Sequence, residues 1–500
     1  MWENLVGAVA LLAQPQVILI ALISAVFGMF MGAVPGLTAT MGMALLVPFT
    51  FFMDQVSVLV AIISMSGMAI FAGDIPGTLV RIPGTPSSAA YVDDAFILTQ
   101  QGKAARALGL NAVGSALGGI FGALGLMLAA PALARFASRF TSFEYFWLAV
   151  LGLSATVAVS QGSVAKNGLS LLIGLFLATI GIDITLGIPR FTFGNVNLLS
   201  GISFIPAMVG LFGVSEVIRV TMEEFQGKEA PQIRFGLVEM IRNALDGLRA
   251  RVRLFIQSGL TGVLVGTLPG AGADIAAWVS YGFGKNTAKE PEKFGKGSEE
   301  AIISGTSANN AALAGTWIPA LVFGIPGDSI TAILLGVLMM KGIRPGPGIF
   351  ENQGNLVYAI YLAFILANLL LIPLGWVATR TGLLMLRVPK RILMPCILLF
   401  CIVGAYAINN SMFDVGVMLV MGILGYMLQQ LQVPTAPIVL GLILGPLMEQ
   451  NFMMSVIKTQ GSLAMFFTRP ISAVLALLCL AAWLYPLYRK RRQARAAAAA

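Results

Sequence analysis

Apolar runs, rather than an alternation of apolar and polar faces, set the rhythm of this chain. Stretches at 16–34, 56–72 and 168–188 in the first half, and at 355–376, 392–408, 415–429 and 471–488 in the second, are almost free of charge. A helix of about 17–25 apolar residues spans the hydrocarbon core of a bilayer. With weaker, glycine-rich segments added, the pattern predicts an all-α polytopic membrane protein of roughly 10–14 membrane segments. The ~10-residue alternating segments of a membrane β-barrel do not occur. In "GLNAVGSALGGIFGALG" (109–125) Gly114, Gly118 and Gly122 fall four apart, the spacing of a close helix-packing face.

Two of the runs are interrupted in the same way, by "GAVPGLTAT" (32–40) and "GTLPGAGAD" (266–274). Proline inside a helix removes a backbone hydrogen bond and clashes with the preceding turn, at about 3 kcal/mol. The freed polar groups cannot face lipid, so such a break persists only inside protein or beside a wet cavity. A helix restarting after Pro-Gly aims its N-terminal amides and positive dipole end at whatever occupies the break, which suits an anion. The second pair of interruptions, at 77–94 and 307–332, repeats the design. The candidate substrate-binding residues are therefore Pro35, Gly36, Thr38, Thr40, Gly84, Thr85, Ser87 and Ser88 from the first half. Pro269, Gly270, Gly272, Asn309, Asn310, Gly327 and Ser329 are the candidates from the second. Asp74, Asp274 and Asp328 flank breaks and are candidates for ion coupling, either with carbonyls around Na⁺ or by carrying a proton. Asp183 has no such setting and fits the end of a helix. Arg81 is placed either to meet a carboxylate or to pair with Asp93 or Asp94.

The halves match each other. Gly32, Pro35 and Gly36 correspond to Gly266, Pro269 and Gly270 at an offset of 234, and "IPGTPSSAA" (82–90) to "IPGDSITAI" (325–333) at 243. "AGDIP" (72–76) stands opposite "AGTWIP" (314–319), and 151–174 resembles 402–425. Matches kept in order indicate duplication. The expected organisation is a first membrane repeat (1–226), a basic amphipathic linker in the cytoplasm (227–253) and a second repeat (254–465). A C-terminal transmembrane helix (466–488) and a basic cytoplasmic tail (489–500) follow. Lys and Arg flank corresponding helices unequally, which by the positive-inside bias predicts inverted repeats with the N-terminus outside. Inverted repeats with discontinuous helices and re-entrant segments are a common plan of secondary transporters.

Composition agrees. Charged residues make up 11% of the 500 and hydrophobic residues 57%, against about 25% charged in soluble domains. The net charge of +9 is concentrated in 228–253, 284–297, 380–391 and 489–495, as topology requires, and nothing else favours nucleic acid. Ile233, Leu237, Ile241, Leu245 and Leu248 recur at helical spacing, predicting a helix lying on the membrane surface. The N-terminus lacks the basic region and cleavage site of a signal peptide. Cys396, Cys401 and Cys479 lie in apolar runs and suit packing rather than disulfides. With no histidine, and no HExxH, GxSxG or phosphate-loop pattern, neither an enzyme, a metal site nor an ATPase is expected. A channel using the same broken helices as a filter is the alternative to a transporter.

"GAVPGLTATMG", "IPGTPSSAA", "GTLPGAGADIAAW" and "GIPGDSITAILLG" resemble the signature segments of the large membrane subunit of the tripartite tricarboxylate transporters, along nearly the whole chain. The resemblance implies a multi-pass permease of the bacterial inner membrane without cofactors. It also implies two partners, a small four-helix membrane subunit and a periplasmic substrate-binding protein. Uptake of citrate or another carboxylate would then be driven by Na⁺ or H⁺ symport.

Overall fold

The computed structural model describes residues 2–34, 36–159, 163–183, 187–222, 235–385 and 390–482. Part of the expected linker (227–234), the tail and Pro35 lie outside them.

The first half opens with α1 (Trp2–Leu12), α2 (Pro15–Ala33), α3 (Ala39–Thr50), α4 (Gln55–Ala72), α5 (Asp74–Val80) and α6 (Val92–Gln100). The long α7 (Ala104–Ala137), α8 (Ser142–Val159) and α9 (Val164–Ala178) follow, then a two-stranded hairpin, β1 (Gly181–Ile182) and β2 (Pro189–Arg190). α10 (Phe204–Met208), a π-turn at Val209–Val214 and α11 (Ser215–Met222) form one further rod. After α12 (Leu237–Arg249) come α13 (Val252–Gly266), α14 (Gly272–Thr287), α15 (Glu299–Phe323), α16 (Ser329–Met340) and α17 (Gly348–Asn352). α18 (Gly354–Met385), α19 (Lys390–Asn409), α20 (Met412–Gln430), α21 (Ala436–Lys458), α22 (Met465–Thr468) and α23 (Pro470–Ala482) complete the chain. Among the described residues, 8 helices are long and apolar enough to cross a bilayer, and shorter apolar helices lie between them. Large apolar side chains such as Leu19, Leu172, Leu264, Val420 and Leu477 face outward, as a lipid-facing surface would require.

Glycines set the packing. A Cβ on Gly28 or Gly32 of α2 would lie 2.1 Å from the carbonyl oxygen of Met65 or Ala69 on α4. In the second half, Cβ atoms on Gly262 and Gly266 of α13 would lie 2.3 and 2.5 Å from the Ala308 and Ala312 carbonyls on α15. These contacts repeat at the same offsets, 234 and 243, as the sequence match. Because both contacts advance by four residues on each helix, α2 runs parallel to α4 and α13 to α15. The helix between must therefore double back: α2–α3 and α13–α14 are helical hairpins whose tips are the two Pro-Gly breaks.

The long helices show how the halves relate. On α7, Gly118 and Gly122 contact Ser307 and Ala311 of α15, so α7 and α15 run parallel. Gly119 of α7 faces Asn368 of α18, whereas Gly375 of α18 faces Ala112. The offset of 243 carries α7 onto α18, and these equivalent helices therefore run antiparallel, which is the inverted arrangement. Asn310 Nδ2 ties three of these helices together, donating to Ser115 O at 3.1 Å and Asn368 Oδ1 at 2.9 Å. Such buried amides hold membrane helices in register.

Two expectations change. The apolar run at 168–188 is not one helix: α9 ends at Ala178, and Gly181, at φ +125°, leads into the short hairpin. Asp183 lies there, 3.9 Å from Arg190. The basic amphipathic helix forms as α12, without Ile233, which is outside the described residues. Its apolar face, with Met240, Ala244 and Leu248, is buried against α7 instead of lying open to lipid.

At one polar end of the bundle Glu299, in the first turn of α15, accepts from Arg106 Nη2 and from Arg251 Nη1, each at 3.0 Å. Burial alone would raise the Glu299 carboxyl, but the hydrogen bond and charge of Arg106, with Arg251 and Lys103, hold it below its ordinary value. A carboxyl lowered on folding contributes stability above its unfolded value, and that contribution fades as pH falls through the lowered one. Thermal unfolding should therefore lose stability on acidification below the ordinary glutamate range, and Glu299→Gln should flatten that slope. An unchanged slope in the variant would remove Glu299 from this role.

Candidate functional site

Each hairpin tip is clamped by the loop that follows the next helix. In the first half α5 ends at Arg81 in the left-handed region (φ +60°), and the chain turns back so that Gly84 N–H donates to Gly73 O at 3.0 Å. A Cβ on Gly84 would lie 2.8 Å from Gly32 O, at the end of α2. In the second half α15 ends at Gly324 (φ +69°), and a Cβ on Gly327 would lie 2.9 Å from Gly266 O, at the end of α13. Gly327 O also accepts from Gly270 N–H at 2.8 Å. Gly36 (φ +94°) and Gly270 (φ +80°) take the left-handed conformation that the tips need.

The tips meet in one cavity of about 350 Å³, within the usual size range for small-molecule sites. From the first half Thr38, Thr40, Gly84, Thr85 and Pro86 line it; from the second, Gly270, Gly272, Asp274, Asp328 and Ser329. Thr38 caps α3, its hydroxyl accepting from Met41 N–H at 3.0 Å. Asp328 caps α16, its Oδ1 accepting from Thr331 N–H at 2.8 Å and from the Thr331 hydroxyl at 2.7 Å. Asp274 Oδ1 accepts from Ser87 N–H of the opposite half at 3.1 Å.

The repeat offsets pair these residues: Thr40 with Asp274, Thr85 with Asp328, and Thr38 with Gly272. In two of these pairs the frame carries a hydroxyl in the first half and a carboxylate in the second, while Glu216 adds a carboxylate from the first half and Ser329 a hydroxyl from the second. Hydroxyls both donate and accept, while an ionised carboxylate only accepts, so the paired positions offer different chemistry to a bound molecule. No Lys or Arg lines the cavity among the described residues.

Other candidates from the sequence lie outside the cavity wall. Gly36, Pro269 and Gly327 shape the tips without lining it. Ser87 and Ser88 are buried behind Thr85, with Ser88 Oγ accepting from Thr85 N–H at 3.2 Å. Asn309 and Asn310 sit on unbroken α15, since the interruption there comes only at 324–328, and both side chains are buried. Asp74 is buried against Tyr91. Arg81 pairs with Asp93 at 2.7 Å on an exposed surface. No group of three or more His, Cys, Asp or Glu side chains able to hold a metal occurs among the described residues.

Thr156, Phe212, Glu216, Gln429 and Pro434 also line the cavity and were missed by sequence reasoning. Glu216, paired with Arg219, had a readable signal: it is a carboxylate next to an apolar run, like the aspartates. It also follows the π-turn at Val209–Val214, a distortion often found at functional sites. Thr156, Phe212 and Gln429 carry no local mark.

Residues 18–440 match the tripartite tricarboxylate transporter TctA family. An uncharacterized 52.8 kDa protein in the TAR-I ttuC' 3' region of Agrobacterium vitis is 35% identical over 473 residues, 94% of this chain and 93% of that one. An uncharacterized protein in the TAR-II ttuC' 3' region of the same organism is 39% identical over 234 residues, 46% of this chain and 97% of that one. No solved structure matches.

Proposed function

The chain belongs to the tripartite tricarboxylate transporter TctA family, a family of membrane transporter components, and from that premise we propose that it is the permease through which a carboxylate such as citrate enters the cell by Na⁺ or H⁺ symport. The observation that carries this reading is the cavity shared by both hairpin tips and both clamping loops. The Thr38 cap, Thr40 and Thr85 supply neutral hydrogen bonds suited to a carboxylate. Asp274, Asp328 and the Arg219-paired Glu216 line the same space, and an anion beside these carboxylates needs a compensating cation or proton. Symport supplies one.

The inverted halves give the protein two arrangements of comparable energy, which a bound ion can bias. A periplasmic binding protein would deliver the substrate, and a small four-helix membrane subunit would complete the assembly. The basic end carrying α12 would face the cytoplasm of a bacterial inner membrane, with the C-terminus on the same side.

Uptake by membrane vesicles containing the full chain with its two partner subunits tests the proposal, using a panel of labelled dicarboxylates and tricarboxylates. Saturable uptake that collapses with the Na⁺ or H⁺ gradient is expected. Uptake of none of the panel, or large gradient-independent single-channel currents, would overturn it.

A further inference from the structure

Asp74 is a buried carboxylate that the cavity does not expose. It opens α5 and is 3% exposed. Its one side-chain hydrogen bond among the described residues comes from the Tyr91 hydroxyl to Oδ1, at 2.7 Å. The offset of 243 sets it opposite Trp317, which is fully buried against Phe364. The duplicated frame therefore accepts an indole at this position, so packing gives no reason for an acid. An ionisable side chain so far from water is costly, and in membrane proteins it marks function.

A row of polar contacts leads from Asp74 to the cavity. The Tyr91 ring is wedged against Gly305, where a Cβ would lie 2.1 Å from ring carbon Cδ1. Its hydroxyl also faces the side-chain amide of Asn309. Asn309 Nδ2 donates to Ser87 Oγ at 2.9 Å, and Ser87 N–H donates to Asp274 Oδ1 in the cavity wall. Asn309 Oδ1, by contrast, is buried without a hydrogen-bond partner among the described residues. That orphan acceptor marks a second arrangement of the row. With Asp74 ionised, Tyr91 donates to it. With Asp74 neutral, the carboxyl O–H donates to the phenol oxygen, and the Tyr91 hydrogen needs a new acceptor. A half-turn of the Asn309 amide offers Oδ1 and withdraws Nδ2 from Ser87.

We propose that Asp74 is a proton-sensing residue of this transporter: a proton taken up there turns the Tyr91 hydroxyl and the Asn309 amide, leaves Ser87 Oγ to its remaining partner, the Thr85 hydroxyl at 2.9 Å, and so shifts the loop whose Ser87 N–H holds Asp274 in the cavity wall. The role attached to this switch rests on the reading of the cavity as the transport site. Few other charges face Asp74. Of the elements packed against α5, α2 and α4 carry none. α6 carries Asp93, paired with Arg81, and Asp94, held by the Gly295, Gly297 and Ser298 amides. α7 carries Arg106, engaged by Glu299, and Arg135 in its last turn. α18 carries Arg380, bonded to Phe235 O.

Trp278 is a built-in reporter, because its indole N–H donates to Pro86 O at 3.2 Å, next to Ser87. The full chain in nanodiscs is titrated with acid and base, without any carboxylate, and the Trp278 signal is taken as the emission lost in Trp278→Phe. A pH-dependent transition is expected in the unmodified chain. It should vanish in Asp74→Asn and in Tyr91→Phe, and return at a shifted pH in Asp74→Glu. Should Asp74→Asn fail to fold, Tyr91→Phe alone decides. No transition in the unmodified chain, or an unchanged one in the folded variants, overturns the proposal. Because no substrate is present, the result stands apart from the uptake assay, whose failure would sink the transport reading alone.

Discussion

Alanine at Gly270 is expected to abolish carboxylate uptake while the chain still reaches the membrane. Gly270 sits at φ +80°, and a Cβ there would lie 2.6 Å from Thr156 Cα, which is α8 backbone and cannot swing aside. The left-handed conformation costs a non-glycine residue roughly 1–2 kcal/mol, and forced overpacking adds about 1–3 kcal/mol. Together they displace the second tip from the Gly327 carbonyl that clamps it, which should cut uptake by roughly a hundredfold or more. Gly282→Ala, where nothing lies within 4 Å, is the matched control and should transport normally. Comparing uptake with membrane abundance separates loss of function from loss of protein. Normal transport by Gly270→Ala would mean that the tip does not shape the site.

Thr40→Asp is expected to have the second large effect. Thr40 and Asp274 are equivalent positions of the duplicated frame and line the same cavity, which already holds Asp274, Asp328 and Glu216. Another carboxylate about 5 Å from a bound anion, at an effective dielectric constant of about 20, opposes it by about 3 kcal/mol. The KM for the carboxylate should rise by roughly a hundredfold. Thr40→Asn keeps hydrogen bonding without charge and should stay within about tenfold of the unmodified chain, a loss of 1.4 kcal/mol or less. An unaltered KM in Thr40→Asp would place the substrate away from the first half's hydroxyls.

Much of this architecture is readable along the chain because the forces that set it are local. Apolar runs declare their length, and a Pro-Gly break declares that a helix stops. The offsets 234 and 243 in the sequence reappear as glycine-to-carbonyl contacts between α2 and α4, and between α13 and α15. Other features depend on what meets a segment from far away. Nothing near Asn309 says that α15 continues through it, because the buried faces that support that helix come from α7 and α13. The run at 168–188 is apolar enough for a longer helix, but the turn at Gly181 ends it. Thr156, Phe212 and Gln429 enter the cavity wall only because α8, the π-turn and α20 pack across from the tips. A break in the sequence shows where backbone is released from a helix but leaves open which neighbour it faces.

The most direct test asks whether the space between the tips is wet and occupied by the substrate. Single cysteines at Thr40, Thr85 and Ser329, in a chain whose Cys396, Cys401 and Cys479 are replaced, would be treated with a small water-soluble thiol reagent, with and without citrate and other carboxylates. The account predicts that all three react, and that a transported carboxylate together with its coupling ion slows the reaction at each. Cysteines that never react, or that react equally whatever carboxylate is present, would contradict it.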